Sequence, residues 1–179
     1  MSQIASTYAQ ALYDLAKEEN LTEEILQQMN VLRQAFTEEP EYLRLMTAAN
    51  LPKEERCRIL DEAFRGKVAP YVLNFMKILT EKGYMRHFSD CATAYRDAYN
   101  RDHGILPVKA VTAAPMTEDQ KTRLKEKLGN ITGKTIDLIC RVDPSVLGGV
   151  RLDYDGKRVD GTVQNRLDTV SKLLKNTVL

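Results

Sequence analysis

The sequence predicts an α+β fold, mainly α, with an N-terminal six-helix bundle followed by a small C-terminal α+β domain. Three observations carry that expectation. Apolar residues recur at helical spacing through the first hundred positions. After Gly104 the period shortens and β-branched residues become frequent. Val150, Leu152 and Tyr154 then alternate with Arg151 and Asp153 ahead of Asp155-Gly156, the residue pair that a two-residue type I′ hairpin requires.

Each element follows from its own residues. Ile4, Tyr8, Ala11, Leu12 and Leu15 fall on one face of a first helix, and Asn20 stands where a left-handed cap ends it. Ile25, Met29, Leu32 and Phe36 make the stripe of a second. Pro40 and Pro52 each sit just inside a following segment, where a missing amide costs nothing, and start a third helix through Leu43 and Met46 and a fourth through Ile59, Leu60 and Phe64. The steps Arg65-Gly66, Lys82-Gly83 and His103-Gly104 are helix stops, each a cation on the dipole followed by glycine. Between them run a fifth helix with Val72, Leu73, Phe75, Met76 and Leu79, and a sixth with Phe88, Cys91, Ala92, Tyr95 and Tyr99.

Beyond Gly104, residues 105–113 read as a strand that Pro107 confines to a sheet edge. Thr117 and Gln120 form a capping box for a helix through Leu124 and Leu128, and residues 135–142 alternate as a second strand. The hairpin follows. Asp160 or Thr162 then caps a last helix, 162–175, with Val163, Leu167, Val170 and Leu174 on one stripe. The domain boundary is expected near residue 104, giving domains 1–104 and 105–179.

Composition narrows the class. With 43% hydrophobic and 28% charged residues the chain reads as soluble and globular, and no run reaches the ~18 apolar residues of a membrane span. Gln3, Asp14, Lys17 and Glu18 around the first amphipathic stretch fit neither a signal peptide nor an Arg-rich transit sequence, so a cytoplasmic or equivalent compartment is expected. Cys57, Cys91 and Cys140 are far apart at apolar positions and read as reduced core thiols; His87 and His103 lack metal-ligand spacing. The first 104 residues carry a small acidic excess and the rest a small basic one, too interspersed for a nucleic-acid stripe.

Residues 143–167 invite three enzymatic readings, and the residue types oppose each. Gly148-Gly149 lacks the third glycine of a dinucleotide fingerprint and opens a strand instead of a helix. A calcium loop counted from Asp153 puts Arg158 where glycine is obligatory and Gln164 where a bidentate acid belongs. Asp155 is needed by the turn, and Asp153 points to the polar face, so they do not make a carboxylate pair. No cofactor is implied.

Two segments together carry a resemblance. Residues 6–16, STYAQALYDLA, are similar to the opening helix of the delta subunit of the rotary proton-translocating ATP synthase, the oligomycin sensitivity-conferring protein of mitochondria. Asp143, Ser145, Gly148 and Gly149, then Asp160, Gly161, Thr162 and Val163, then Arg166 and Leu167, resemble that family's C-terminal signature. Thr162 stands where serine is common and Gln164 where a basic residue often sits. The resemblance implies a non-catalytic stator subunit on the cytoplasmic face of a bacterial membrane. Its N-terminal bundle would grip the N-terminal helix of an alpha subunit, and its C-terminal domain would hold the b subunits of the peripheral stalk, with no cofactor, nucleic acid or small-molecule substrate. Tyr8, Ala11, Leu15 and Ile78 carry over as contacts in the alpha-binding groove, with Ala5 and Ala9 as small residues beside it. The competing class is a nucleic-acid-binding protein with a winged C-terminal lobe. Lys121, Arg123, Lys125 and Lys127 alternate along one helix and so spread around it instead of forming the face such a protein needs.

Overall fold

The structure, a computed structural model, describes residues 3–48, 51–146 and 148–162. Among these residues it is α+β and mainly helical, with seven α-helices and one four-stranded sheet. Contacts divide the chain into two compact units, Met1–Tyr99 and Asn100–Leu179. That division falls inside a helix, a few residues before the change of period at Gly104.

The first unit contains α1 (Gln3–Glu18), α2 (Thr22–Glu38), α3 (Pro40–Thr47), α4 (Lys53–Phe64), α5 (Pro70–Glu81) and most of α6 (Phe88–Asp102). Its stop signals work as their chemistry requires: Asn20, Gly66, Gly83 and Gly104 all take positive φ. Pro40 is the first residue of α3, whereas Pro52 is the N-cap of α4 and the helix begins one residue later than expected. A remote side chain serves the start of α5, where Gln28 Oε1 on α2 accepts the Ala69 amide at 2.7 Å.

Phe36 organises the core of this unit. It stacks on Tyr42 of α3 at 5.5 Å and meets Phe64 of α4 and Phe88 of α6 edge-on at 6.3 and 5.0 Å. Phe88 in turn meets Phe75 of α5. One apolar stripe from each of α2 to α6 therefore converges on a shared aromatic cluster, the geometry in which ring quadrupoles attract. Arg56, nine-tenths buried, gives its Nη1 hydrogen to the Met46 carbonyl at 2.8 Å and so closes the C-terminal end of α3.

The second unit is built on β1 (Ile105–Thr112), α7 (Glu118–Thr132), β2 (Thr135–Val142), β3 (Val150–Tyr154) and β4 (Lys157–Asp160), in sheet order β2-β1-β3-β4. β1 and β2 are parallel with α7 as the crossover, and β3 is antiparallel to both β1 and β4. Thr117 and Gln120 form the expected reciprocal capping box at the start of α7. The hairpin turns on Asp155 and Gly156, with φ of 47° and 70°. Leu106, Val108, Ala110, Ile136 and Leu152 form the buried layer, against which Leu124 and Leu128 of α7 pack.

Two expectations need correction. β1 is an interior strand, not an edge. The Gly104 and Thr112 carbonyls both accept amides from the β2 side, so even-numbered residues of β1 hydrogen-bond toward β2 and Pro107 faces β3. Pairing with β3 begins only at Lys109, so the missing amide falls beyond the end of that ladder. The three cysteines are not alike either: Cys91 is buried, Cys57 half-buried and Cys140 exposed. Cys140 lies toward the end of β2, beyond Ile136 and Leu138, which belong to the packed layer.

Replacing Phe36 by alanine should cost about 3–5 kcal/mol in urea unfolding, because the cavity would open where four helices meet. The Tyr42 hydroxyl is buried without a partner, and burial pushes its pKa up to about 12. Tyr42→Phe keeps the ring and removes the orphaned group, so its melting temperature should equal or exceed that of the wild type.

Candidate partner-binding surface

α1 carries two apolar stripes instead of one. Ala5, Ala9, Leu12, Tyr13 and Ala16 face the core and are buried. Ile4, Tyr8, Ala11 and Leu15 recur at i, i+4, i+7 and i+11 on a second line, rotated roughly 110° around the helix from the first. That second line is only partly consumed, with Tyr8 packed against the edge of the core. Ile4 and Tyr8 are half-buried, Ala11 is exposed, and Leu15 is 37% exposed. The single face expected from Ile4 to Leu15 is thus split: Leu12 belongs to the core with the alanines, and Ala5 and Ala9 let α1 approach its neighbours closely instead of lining a groove.

α5 runs antiparallel beside this stripe. Tyr8 meets Tyr84, just past the end of α5, edge-on at 6.0 Å. At the opposite end Tyr71 lies beside Glu19. Burial first, and then the Glu19 carboxylate beside it, holds the Tyr71 hydroxyl above the ordinary tyrosine value. The buried face of α5 is Val72, Leu73, Phe75, Met76, Leu79 and Thr80, which leaves Tyr71 half-buried and Ile78 45% exposed on the flank toward α1. On its other flank Lys77 reaches Asp61 of α4 at 2.6 Å, and that contact holds the Asp61 carboxyl below the usual range. Tyr8, Ala11, Leu15 and Ile78 therefore lie on the facing flanks of two antiparallel helices, all with surface left over. Tyr71 completes the line and was not singled out from the sequence. Its signal was present as an aromatic at i−7 from Ile78.

Residues of the C-terminal signature do structural work around the sheet. Asp143 Oδ1 accepts the Ser145 amide at 3.0 Å and its hydroxyl at 2.6 Å, and Asp160 Oδ1 accepts the Thr162 amide and hydroxyl at the same two distances. These bonds draw both aspartate pKa values down. The Gly161 amide then donates to the Val150 carbonyl at 3.0 Å. Gly148 and Gly149 both have positive φ, and Gly149 has a second constraint: a Cβ there would stand 2.5 Å from the Gly161 carbonyl oxygen and 2.9 Å from the Thr162 Cα. The glycine pair and the Asp-Gly-Thr step are two sides of one backbone contact. Arg166, Leu167 and the helix expected over 162–175 lie outside the described residues, apart from Thr162.

None of this is an acid–base or metal constellation. Asp153 is engaged by Arg158 at 2.6 Å across the hairpin, and among the described residues no three His, Cys, Asp or Glu side chains gather closely enough to hold a metal ion. The basic residues of α7 are partly spent on their own helix, Lys121 on Glu118 at 2.7 Å and Arg123 on Asp119 at 3.1 Å. Among the described residues no helix is long and apolar enough to cross a membrane.

An apolar stripe left exposed on α1 and a glycine–aspartate segment built for a turn stand beside what the whole sequence matches. A family model for the ATP synthase delta (OSCP) subunit covers residues 4–174. The chain belongs to the ATP synthase delta (OSCP) subunit family. It is 30% identical over 176 residues to the ATP synthase subunit delta of Alkaliphilus oremlandii, covering 98% of each chain. It is 28% identical to that of Clostridioides difficile, covering 98% of this chain and 97% of the relative. In fold it is similar to a chain of the Toxoplasma gondii mitochondrial ATP synthase hexamer, with a TM-score of 0.76, 21% identity, and 97% and 98% of the two chains covered. As a delta-family member it is a peripheral-stalk subunit of the ATP synthase hetero-oligomer, a structural component and not a catalytic one.

Gly149→Ala should lower the unfolding free energy of this delta-family chain by about 2 kcal/mol or more, since it adds a strained φ to a backbone clash. Gly156→Ala has the strain without the clash and should cost less. With Asp143 and Asp160 lowered in the folded state, their stabilisation is complete above the ordinary aspartate value of 3.8 and is lost as pH falls through the lowered values. Urea midpoints measured across that window should fall less steeply in Asp160→Asn than in the wild type.

Proposed function

We propose that this chain is the clamp of the stator: its first domain, 1–104, acts as a six-helix bundle that grips the N-terminal helix of an alpha subunit, and its second, 105–179, holds the b subunits of the peripheral stalk. The observation that carries the reading is the partly exposed stripe of Tyr8, Ala11 and Leu15 on α1, facing Ile78 and Tyr71 on α5. Apolar surface at i, i+3, i+4 and i+7 spacing beside a second helix is the form in which an amphipathic helix is received in a groove. Ala11 supports it further, because a methyl group at the middle of the stripe lets a partner backbone come close.

Mechanically such a clamp needs no reacting group. It resists torque, so its requirement is that both ends bind tightly and that the body between them not deform under load. Held to the catalytic head at one end and the membrane-anchored b subunits at the other, it keeps the head from turning with the rotor. Proton flow then drives ATP synthesis instead of idle rotation. The chain works at the cytoplasmic face of the cell membrane, attached through the complex. For the b contact, candidates are segment 162–175 and the free edge of the sheet at β2, where Ile139 and Val142 are 50% and 44% exposed.

Calorimetric titration of the whole chain with a peptide of the alpha subunit's N-terminal helix tests the first half of the clamp. Saturable one-to-one binding is expected, weakened at least tenfold by Ala11→Trp, which fills the close-approach position with a bulk of the kind that dominates interface energetics. Absence of binding, or full assembly of the synthase with Tyr8→Ala and Ala11→Trp together, would sink the reading.

A further inference from the structure

β2 is an outer strand of the sheet, and its charges are arranged to complement themselves. Apart from Ile136 and Leu138, every residue of the strand is exposed. The Thr135 amide and, just past the strand, the Asp143 amide donate to the Gly104 and Thr112 carbonyls, so odd-numbered residues of β2 hydrogen-bond toward β1. Ile136, Leu138, Cys140 and Val142 therefore turn their backbone amides and carbonyls to the open edge. Such an edge is a template for a further strand, and β2 has neither the proline nor the lysine that commonly blunts one. Its two charges, Asp137 and Arg141, are opposite in sign and stand two positions on either side of Ile139. Ile136 and Leu138 belong to the layer that packs with α7, so alternation puts Asp137, Ile139 and Arg141 together on the other face.

We propose that β2 pairs with β2 of a second copy of this chain, antiparallel and centred on Ile139. In that register Ile139 meets its own counterpart, and Asp137 of each copy lies opposite Arg141 of the other. On the opposite face Leu138 meets Cys140 and Ile136 meets Val142, so the charged pairs share one face and the apolar pairs the other. The even-numbered residues, whose amides and carbonyls already point outward, form the hydrogen-bonded pairs. Ile139 and the charge pairs take the non-hydrogen-bonded positions, where side chains approach more closely. A slip by two residues keeps the hydrogen-bond pattern, but in one direction it sets Asp137 against Asp143 and in the other against Ile139. Complementary charge thus selects both the occupant and the register. The pairing goes beyond the clamp reading and belongs to the chain outside the complex, because this edge is also a candidate for the b subunits and receives one strand at a time.

Sedimentation velocity of the full chain over a concentration series tests the pairing. A dimer should grow in with a Kd on the order of tens of micromolar, since one strand pair buries less than a standard-size interface. Asp137→Arg and Arg141→Asp each set like charges opposite one another at both symmetric positions, and each should weaken association on the order of tenfold. Both change exposed residues and should keep the circular dichroism and melting temperature of the wild type. The double variant Asp137→Arg, Arg141→Asp restores opposite signs and should dimerise as the wild type does. An equimolar mixture of the two single variants should do the same, because every charge pair across the mixed dimer is again opposite in sign. A wild type that stays monomeric throughout overturns the proposal and leaves the edge to a strand of another protein. Association that the wild type and all the variants share alike overturns it as well, since the contact then lies elsewhere. Neither result bears on the clamp, which is read with the alpha-subunit peptide.

Discussion

Phe36 is the point through which the helices of the first unit hold one another in place. Its ring is shared by Tyr42, Phe64 and Phe88, and Phe88 passes the contact on to Phe75, so α2 through α6 meet at one cluster of aromatic faces and edges. Edge-to-face pairs are directional, and each fixes a helix in rotation as well as in distance. The rotation of α5 decides which of its residues stay exposed. With Phe75 and Met76 turned inward, Lys77 falls toward Asp61 on α4, and Ile78 is left on the flank beside α1. Gln28 secures the first turn of the same helix through the Ala69 amide.

α1 is seated differently, on small residues. Ala5, Ala9 and Ala16 are fully buried, so this helix approaches its neighbours by having little side chain to accommodate. Tyr13 supplies the one large ring, edge-on to Tyr95 at 5.3 Å, and the Tyr95 hydroxyl reaches the Thr22 carbonyl. A helix that spends alanines on its own core keeps its larger apolar residues for another purpose. That division of labour produces the second stripe in this delta-family stator subunit.

In the second unit the controlling constraint is a backbone approach that tolerates no side chain. Gly149 passes so close to Gly161 that the loop after β2 and the exit from β4 are fixed together, and the two aspartate turns on either side use the same pair of bonds to hold them. A segment that resembles a phosphate or calcium loop by composition is therefore occupied in both its glycines and its carboxylates by its own fold.

The sequence by itself determined the order and type of the elements among the described residues, because periodicity, caps and turn residues act within a few positions. The stops at Asn20, Gly66, Gly83 and Gly104, the Thr117 capping box and the Asp155-Gly156 turn are all local chemistry, and all appear where that chemistry places them. What only the tertiary structure decided depends on which neighbour an element meets. Pro107 looked like an edge residue because sequence shows its missing amide but not where the adjacent strand stops. Cys140 looked buried because alternation assigns it a face without saying which residues pack over that end of the strand. The helix-one stripe looked single because 3.6-residue spacing tolerates lines on either side of a core, and only the packing of Ala5, Ala9 and Ala16 separates the residues that hold the helix from those it presents.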